Sequence, residues 1–226
     1  MYNGSVPVYK RVNKNFFKKW SPDMSYVLGF FMADGSITVN PRGSQYISIQ
    51  ICDKEILETM REAMGSEHKI ALRRRGGNES DIYRLQIGSQ EMCDDLRRLG
   101  MGEKKTYTMG LPDIPKKYFG DFVRGYFDGD GHVWSGLIHK DRKNPKTTLQ
   151  IGFTSCSGIF LKDLQNNLRN FNVGKGSFYS RNNYFCLKYS LKDSLILSEI
   201  MYNNMENDLF LKRKKLIFEK FKKMRS

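Results

Sequence analysis

Apolar residues recur along this chain at two spacings, every three to four residues and every second residue, and the two kinds of stretch alternate in the same order twice. Ser21-Pro22-Asp23 opens the first helical stretch with an N-cap, a proline at the first helical position and an acid in the first turn. The apolar run that follows is predicted to stay helical to Ala33 or Asp34, where Gly35 stops it. Alternating segments over 36–40 and 46–51 come next, split by Pro41-Arg42-Gly43-Ser44. Ile56, Leu57, Met60 and Met64 mark a helix over 53–64. A hairpin of 69–75 and 81–87 turns at Gly76-Gly77-Asn78, and a helix over 90–99 closes at Gly100.

The second half repeats this order. A helix over about 116–129 precedes strands at 132–137 and 148–154, and a helix over 158–171 precedes a hairpin of 173–180 and 184–190. Helices over 191–201 and 208–224 complete the chain. The expected fold is therefore α/β (α+β): two pseudo-symmetric αββαββα halves, each a saddle-shaped antiparallel sheet backed by helices. The halves are expected at 1–110 and 117–226. The linker is 111–116, where Pro112 and Pro115 forbid continuous helix.

Side-chain alternation assigns the two faces of each strand. Ile47, Ile49, Ile51, Ile70, Leu72, Tyr83, Leu85 and Ile87 are expected to face helices in the first half. Leu149, Ile151, Phe153, Phe185, Leu187 and Tyr189 do so in the second. The opposite face of the first half carries Ser36, Thr38, Asn40, Ser48, Gln50, Lys69, Arg73, Arg75, Arg84 and Gln86. That of the second carries His132, Trp134, Thr148, Gln150, Thr154, Lys175, Ser177, Tyr179, Arg181, Tyr184 and Lys188. An ordinary solvated face would mix in Glu and Asp, which are sparse here. These side chains can instead bond phosphates and base edges, and a twisted ribbon fits the DNA major groove.

Charge points the same way. The 226 residues carry a formal net charge of +14, which favours a polyanionic partner, either nucleic acid or an acidic membrane surface. The membrane is set aside: no apolar run approaches the ~20 residues of a span. The basic helix with an apolar face, Leu209 to Phe221, is better used packing its own half. Double-stranded DNA is the expected partner. Met1 to Lys10 is polar and shows no secretory pattern, and four scattered cysteines lack zinc-finger spacing, so they are expected to be reduced, mostly buried thiols of an intracellular protein.

The most informative feature is a near-repeat. Tyr26-Val-Leu-Gly-Phe-Phe-Met-Ala-Asp-Gly35 and Phe122-Val-Arg-Gly-Tyr-Phe-Asp-Gly-Asp-Gly131 are both apolar, aromatic and end in Asp-Gly, with Asp130 following Asp34 by 96 residues. Small residues four apart, Gly29 with Ala33 and Gly125 with Gly129, share one helix face and permit close backbone approach. Gly29 and Gly125 are therefore expected at a helix joint that brings Asp34 and Asp130 side by side. A carboxylate at a helix C-terminus opposes the helix dipole, so two at equivalent places suggest a cation site. Mg2+ suits it, with the Ala33 and Gly129 carbonyls as further ligands.

These segments resemble the paired motifs of the single-chain LAGLIDADG homing endonucleases, the second, Val123 to Gly131, more closely. Met32 replaces the earlier acid that Asp128 supplies in the second half, while the penultimate acid is present in both. The resemblance implies a monomeric, site-specific DNA endonuclease that makes a metal-dependent double-strand break, Asp34 and Asp130 each serving one strand of a long, non-palindromic target. It implies two or three divalent ions, with Mn2+ able to replace Mg2+ and Ca2+ binding without cleavage. It places Asp53 and Ser155 near attacking water. It also implies a lysine before the last helix of each half, best matched by Lys105 and Lys212, with Lys104 and Lys214 adjacent. The gene would lie within an intron or intein. The alternative on the same fold is an RNA maturase acting on its own intron RNA, or a DNA-binding protein that does not cut.

Overall fold

A computed structural model describes residues 10–74, 80–102, 108–139, 141 and 143–225. The first half runs α1 (Pro22–Asp34), β1 (Gly35–Val39), β2 (Gln45–Ile51), α2 (Lys54–Ala63), β3 (Ile70–Arg73), β4 (Ile82–Gly88) and α3 (Gln90–Arg98). The second runs α4 (Phe119–Asp130), β5 (Gly131–Ile138), β6 (Lys146–Ser155), α5 (Gly158–Arg169), β7 (Ser177–Ser180), β8 (Phe185–Tyr189), α6 (Leu191–Tyr202) and α7 (Lys212–Lys223). Each half forms one four-stranded antiparallel sheet, ordered β1-β2-β4-β3 and β5-β6-β8-β7. The expected pseudo-repeated α+β fold is the observed one.

Every residue of α1 from Met24 to Met32 is buried. A helix apolar on all sides belongs inside the molecule, and α1 lies along α4 at its centre. Ser21 caps α1 by accepting the Met24 N–H at 3.1 Å. The expected joint is present. A Cβ on Gly29 would collide with the Phe122 carbonyl oxygen and stand 2.9 Å from the Tyr126 nitrogen. One on Gly125 would collide with the Tyr26 carbonyl oxygen and stand 3.0 Å from the Phe30 nitrogen. Backbone meets backbone at both positions, so only glycine fits.

Ile47, Ile49, Leu85 and Ile87 are buried in the first half, as are Leu149, Ile151, Phe153, Leu187 and Tyr189 in the second, and all join one continuous apolar core. Several expectations are corrected. Leu72 stays exposed, because β3 is a four-residue strand at the edge of its sheet among the described residues. The helix expected from 116 begins as a 3-10 turn, Lys116–Tyr118, and the last helix starts at Lys212 rather than 208. Gly35 and Gly131 end their helices with extended backbone, φ −81° and −90°, rather than the left-handed turn usual for a terminal glycine. Glycine is needed there for space: a Cβ would strike the ring and carbonyl of Phe31 or Phe127 one turn back.

A candidate metal and nucleic-acid site at the helix joint

The joint delivers both acids to one place. Asp34 and Asp130 are the last residues of α1 and α4. A Cβ on Gly129 would press on the Ala33 methyl and lie 3.5 Å from the Asp34 carboxylate, so the first acid stands against the residue before the second. Beneath them is the buried Tyr126, whose hydroxyl donates to the Thr154 carbonyl at 2.7 Å. Burial and then the Asp130 and Asp34 charges hold its phenol well above the usual range. On the Asp130 side a cleft of about 300 Å³ is lined by Asp130, Thr154, Ser155, Cys156 and Tyr184.

The donor set fits a small hard cation with few protein ligands. Two carboxylates and helix-end carbonyls are oxygen ligands, and among the described residues no group of three His, Cys, Asp or Glu side chains closes into a cage. Such a site suits Mg2+, which keeps waters and takes substrate phosphate oxygens.

Lys214 is the buried cation of the site. Its ammonium donates to the carbonyl oxygens of Phe127 (2.5 Å), Asp128 (2.9 Å) and Gly131 (2.6 Å), using all three N–H groups at the end of α4. This places positive charge where the helix dipole is negative, beside Asp130. Burial pushes its pKa down to about 8 against the opposing pull of Asp128, Asp34 and Asp130. Lys212, the sequence-based choice, is exposed and pairs with Glu55. The two lie about 200° apart around α7, so only one can face α4. Lys105 and its neighbour Lys104 lie outside the described residues, as does Arg75.

Asp128, the earlier acid of the second motif, is spent on architecture. It is 1% exposed, and one carboxylate oxygen accepts from the Tyr26 hydroxyl and the Leu211 N–H, each at 2.8 Å. Burial pushes its carboxyl up to about 6 against those bonds and the Lys214 and Arg124 charges. Its other oxygen is buried and has no hydrogen-bond partner among the described residues. At the equivalent places of the two motifs stand Met32 and Phe122, both buried. Met32 and Phe122 are therefore the buried apolar counterparts of the hydrogen-bonded Asp128 and Tyr26. Sequence reading also passed over Arg124, whose guanidinium holds the Leu209 and Met201 carbonyls and Asp121 and Asn207. Its signal was a charge inside an otherwise apolar buried run.

Strand register revises the other assignments. Gly35 pairs with Ile49 and Gly131 with Phe153, which makes Gln50 the counterpart of Thr154, Ile51 of Ser155, and Asp53 of Ser157. Asp53 and Ser155 are thus not equivalent positions. Asp53 is the N-cap residue of α2 and pairs with Arg213 at 3.1 Å across the two halves. Ser155 is buried and accepts the Ser157 N–H. Thr154 donates to the Asp130 carbonyl at 2.8 Å, which brings Thr154 next to the acid.

On the outer faces, Ser36, Gln50, Thr38, Lys69, Arg73, Arg84 and Gln86 reach solvent wholly or in part, as do His132, Trp134, Gln150, Lys175, Ser177, Tyr179, Arg181, Tyr184 and Lys188. Ser48 and Thr148 do not: both are buried short side chains on middle strands. Ser48 lies between Ser36 and Gln86, and Trp134 folds over Gly136, the partner of Thr148. Asn40 serves its turn, accepting the Arg42 and Ser44 N–H groups. His132 lies flat on Gly152, where a Cβ would strike its ring; burial there, with Lys188 and Lys214, lowers its pKa. Lys188 and Arg181 both stand over the Tyr179 ring, at 5.5 and 5.4 Å. All four cysteines are free; Cys93 and Cys186 are buried, Cys52 is exposed and Cys156 half-buried.

A paired-acid helix joint between two antiparallel sheets, each with one basic polar face, defines a class of protein. Residues 21–99 and 120–199 both match the sequence model of the LAGLIDADG-like domain, and the chain belongs to that family. The fold is similar to that of I-SmaMI bound to uncleaved DNA in the presence of calcium ions, with a TM-score of 0.60, 13% identity and coverage of 91% of this chain and 90% of that one. It is also similar to the LAGLIDADG homing endonuclease I-LtrWI bound to target DNA: TM-score 0.59, 15% identity, coverage 94% and 90%. Both halves thus find counterparts within single chains of those proteins. Over 122 residues the chain is 25% identical to the uncharacterized protein MJ0398 of Methanocaldococcus jannaschii, a match covering 52% of this chain and 42% of that protein.

Proposed function

We propose that this protein is a homing endonuclease that cuts both strands of a long, non-palindromic DNA site, acting as a monomer. The observation that carries the reading is the delivery of Asp34 and Asp130, by two helices in backbone contact, to one point between two basic sheet faces. A protein that only binds DNA gains nothing from two carboxylates facing phosphates. Asp34 and Asp130 would hold Mg2+, with the Ala33 and Gly129 carbonyls as candidate further ligands. When bound there, such an ion supplies charge neutralisation at the scissile phosphate and acidification of water. Lys214 adds fixed positive charge on the Asp130 side, where negative charge develops on the phosphate in the transition state. Gln50 and Thr154, equivalent in strand register, would orient water or phosphate near the two acids. The polar sheet faces bind the duplex, and because their residues differ between halves, the two half-sites differ in sequence. Residence of the gene in an intron or intein belongs to the same proposal.

The test begins with a duplex selected from a randomised pool by binding in Ca2+, each strand then labelled separately. With Mg2+ the wild type should cut both strands. Asp34→Asn and Asp130→Asn should each lose cutting of one strand by about 10³-fold or more while binding is retained, and the double variant should bind without cutting. Wild-type cutting of both strands by both single variants would overturn the assignment.

A further inference from the structure

Helix α7 has Leu211 as its N-cap residue, a side chain with no oxygen to cap it. The negative charge that usually sits at a helix start comes instead from Asp128 on α4, which accepts the Leu211 N–H. The Leu211 carbonyl in turn accepts from Lys214 N at 3.0 Å and Lys215 N at 3.1 Å. Asp128, Leu211 and Lys214 are therefore joined by consecutive hydrogen bonds through a single helical turn. The Lys214 ammonium then returns to the backbone of α4, on the Asp128 and neighbouring carbonyls. The loop closes on itself within one buried cluster.

We propose that Asp128 is a positioning residue for the Asp130 side of the site, setting the place of the Lys214 ammonium through Leu211. The inference rests on the endonuclease reading for its effect on DNA, but not for its effect on the lysine. The same carboxylate oxygen also accepts from Tyr26 across the joint, so a simple deletion would disturb two things at once. The molecule contains the control for this. Met32 and Phe122 fill the equivalent positions with buried apolar side chains, so a Tyr26→Phe/Asp128→Met variant recreates a combination of residues that the other motif already carries. It keeps the joint packed and removes the acceptor for Leu211 N. Asp128→Asn keeps an acceptor oxygen, and Tyr26→Phe alone keeps the Leu211 bond.

Two readouts separate positioning from mere structure. Acylation of lysines by acetic anhydride, followed by mass spectrometry, reports whether Lys214 is protected, with the exposed Lys212 of the same helix as reference. Wild type, Tyr26→Phe and Asp128→Asn should protect Lys214. Tyr26→Phe/Asp128→Met should acylate it at least about tenfold faster, and nicking of one labelled strand should fall about tenfold or more with DNA affinity unchanged. Undiminished protection of Lys214 in the double variant, or equal slowing of both strands, would overturn the proposal. If the wild type cut no selected duplex, the endonuclease reading would fall, while the acylation comparison would still decide whether Asp128 positions Lys214.

Discussion

Lys214 and Asp128 show how little a residue's type says about its task until its surroundings are known. Lys214 lies in a run of four basic residues, 212–215, yet it is 6% exposed while Lys212 lies in solvent. Its burial has a measurable consequence. The folded amine releases its proton near pH 8, whereas a free lysine does so near 10.5. Between those values the unfolded chain holds a proton that the folded chain has lost, so stability rises with pH across that window. Relative to Lys214→Met, the wild type should gain roughly 2 kcal/mol between about pH 7 and pH 9.5. Urea melts of both proteins at the two pH values measure this, and parallel changes would mean that the amine is hydrated. Its neighbours Lys212 and Arg213 make exposed pairs with Glu55 and Asp53, of the kind that contributes about 0–1 kcal/mol.

At the scale of elements, the contact of α1 with α4 fixes everything above it. Its tolerance is set by backbone atoms, which cannot rotate away as a side chain can. Gly125→Ala should therefore cost about 1–3 kcal/mol, lowering the melting temperature by roughly 3–10 °C in a chain of this size. Gly102→Ala is the control, since among the described residues a Cβ there meets nothing within 4 Å. Cleavage should fall in Gly125→Ala more than the melting shift explains, because parted helices move Asp34 relative to Asp130 and groups in catalysis are held within about 0.5 Å. Equal melting of the two variants would place the close contact elsewhere. The helix termini carry the same lesson: the glycine after each acid is legible as a stop, but the ring of Phe31 or Phe127, not a left-handed turn, is what demands it.

For the whole molecule, the excess of 14 positive charges and two sheet faces poor in acids favour a polyanionic partner. If these faces neutralise some 6–10 phosphates, affinity for DNA should fall about 10³–10⁵-fold between roughly 50 and 200 mM salt. Equilibrium binding of a selected duplex across that range checks it; a flat response would leave the basic faces without a role in binding. Substitution at Lys188 or Gln86, which occupy equivalent register positions, should alter which bases are accepted rather than the salt slope alone.

The elements, their order and their duplication were legible in the amino-acid sequence, because each depends on periodicity within a dozen residues. The helix joint, and the place of one acid at the end of each of its helices, were legible too, since paired small residues and a terminal Asp-Gly are local patterns repeated at half-chain distance. Tertiary structure decided what depends on rotation and register. The turn of α7 against α4 buried Lys214 and left Lys212 in solvent, two residues along the same helix but on opposite faces. Pairing of β1 with β2 and β5 with β6 made Gln50 and Thr154 counterparts, and separated Asp53 from Ser155. The shadow of longer neighbours buried Ser48 and Thr148 on faces that alternation had marked as open. No local pattern carries such information, because each outcome is fixed by a partner residue tens of positions away.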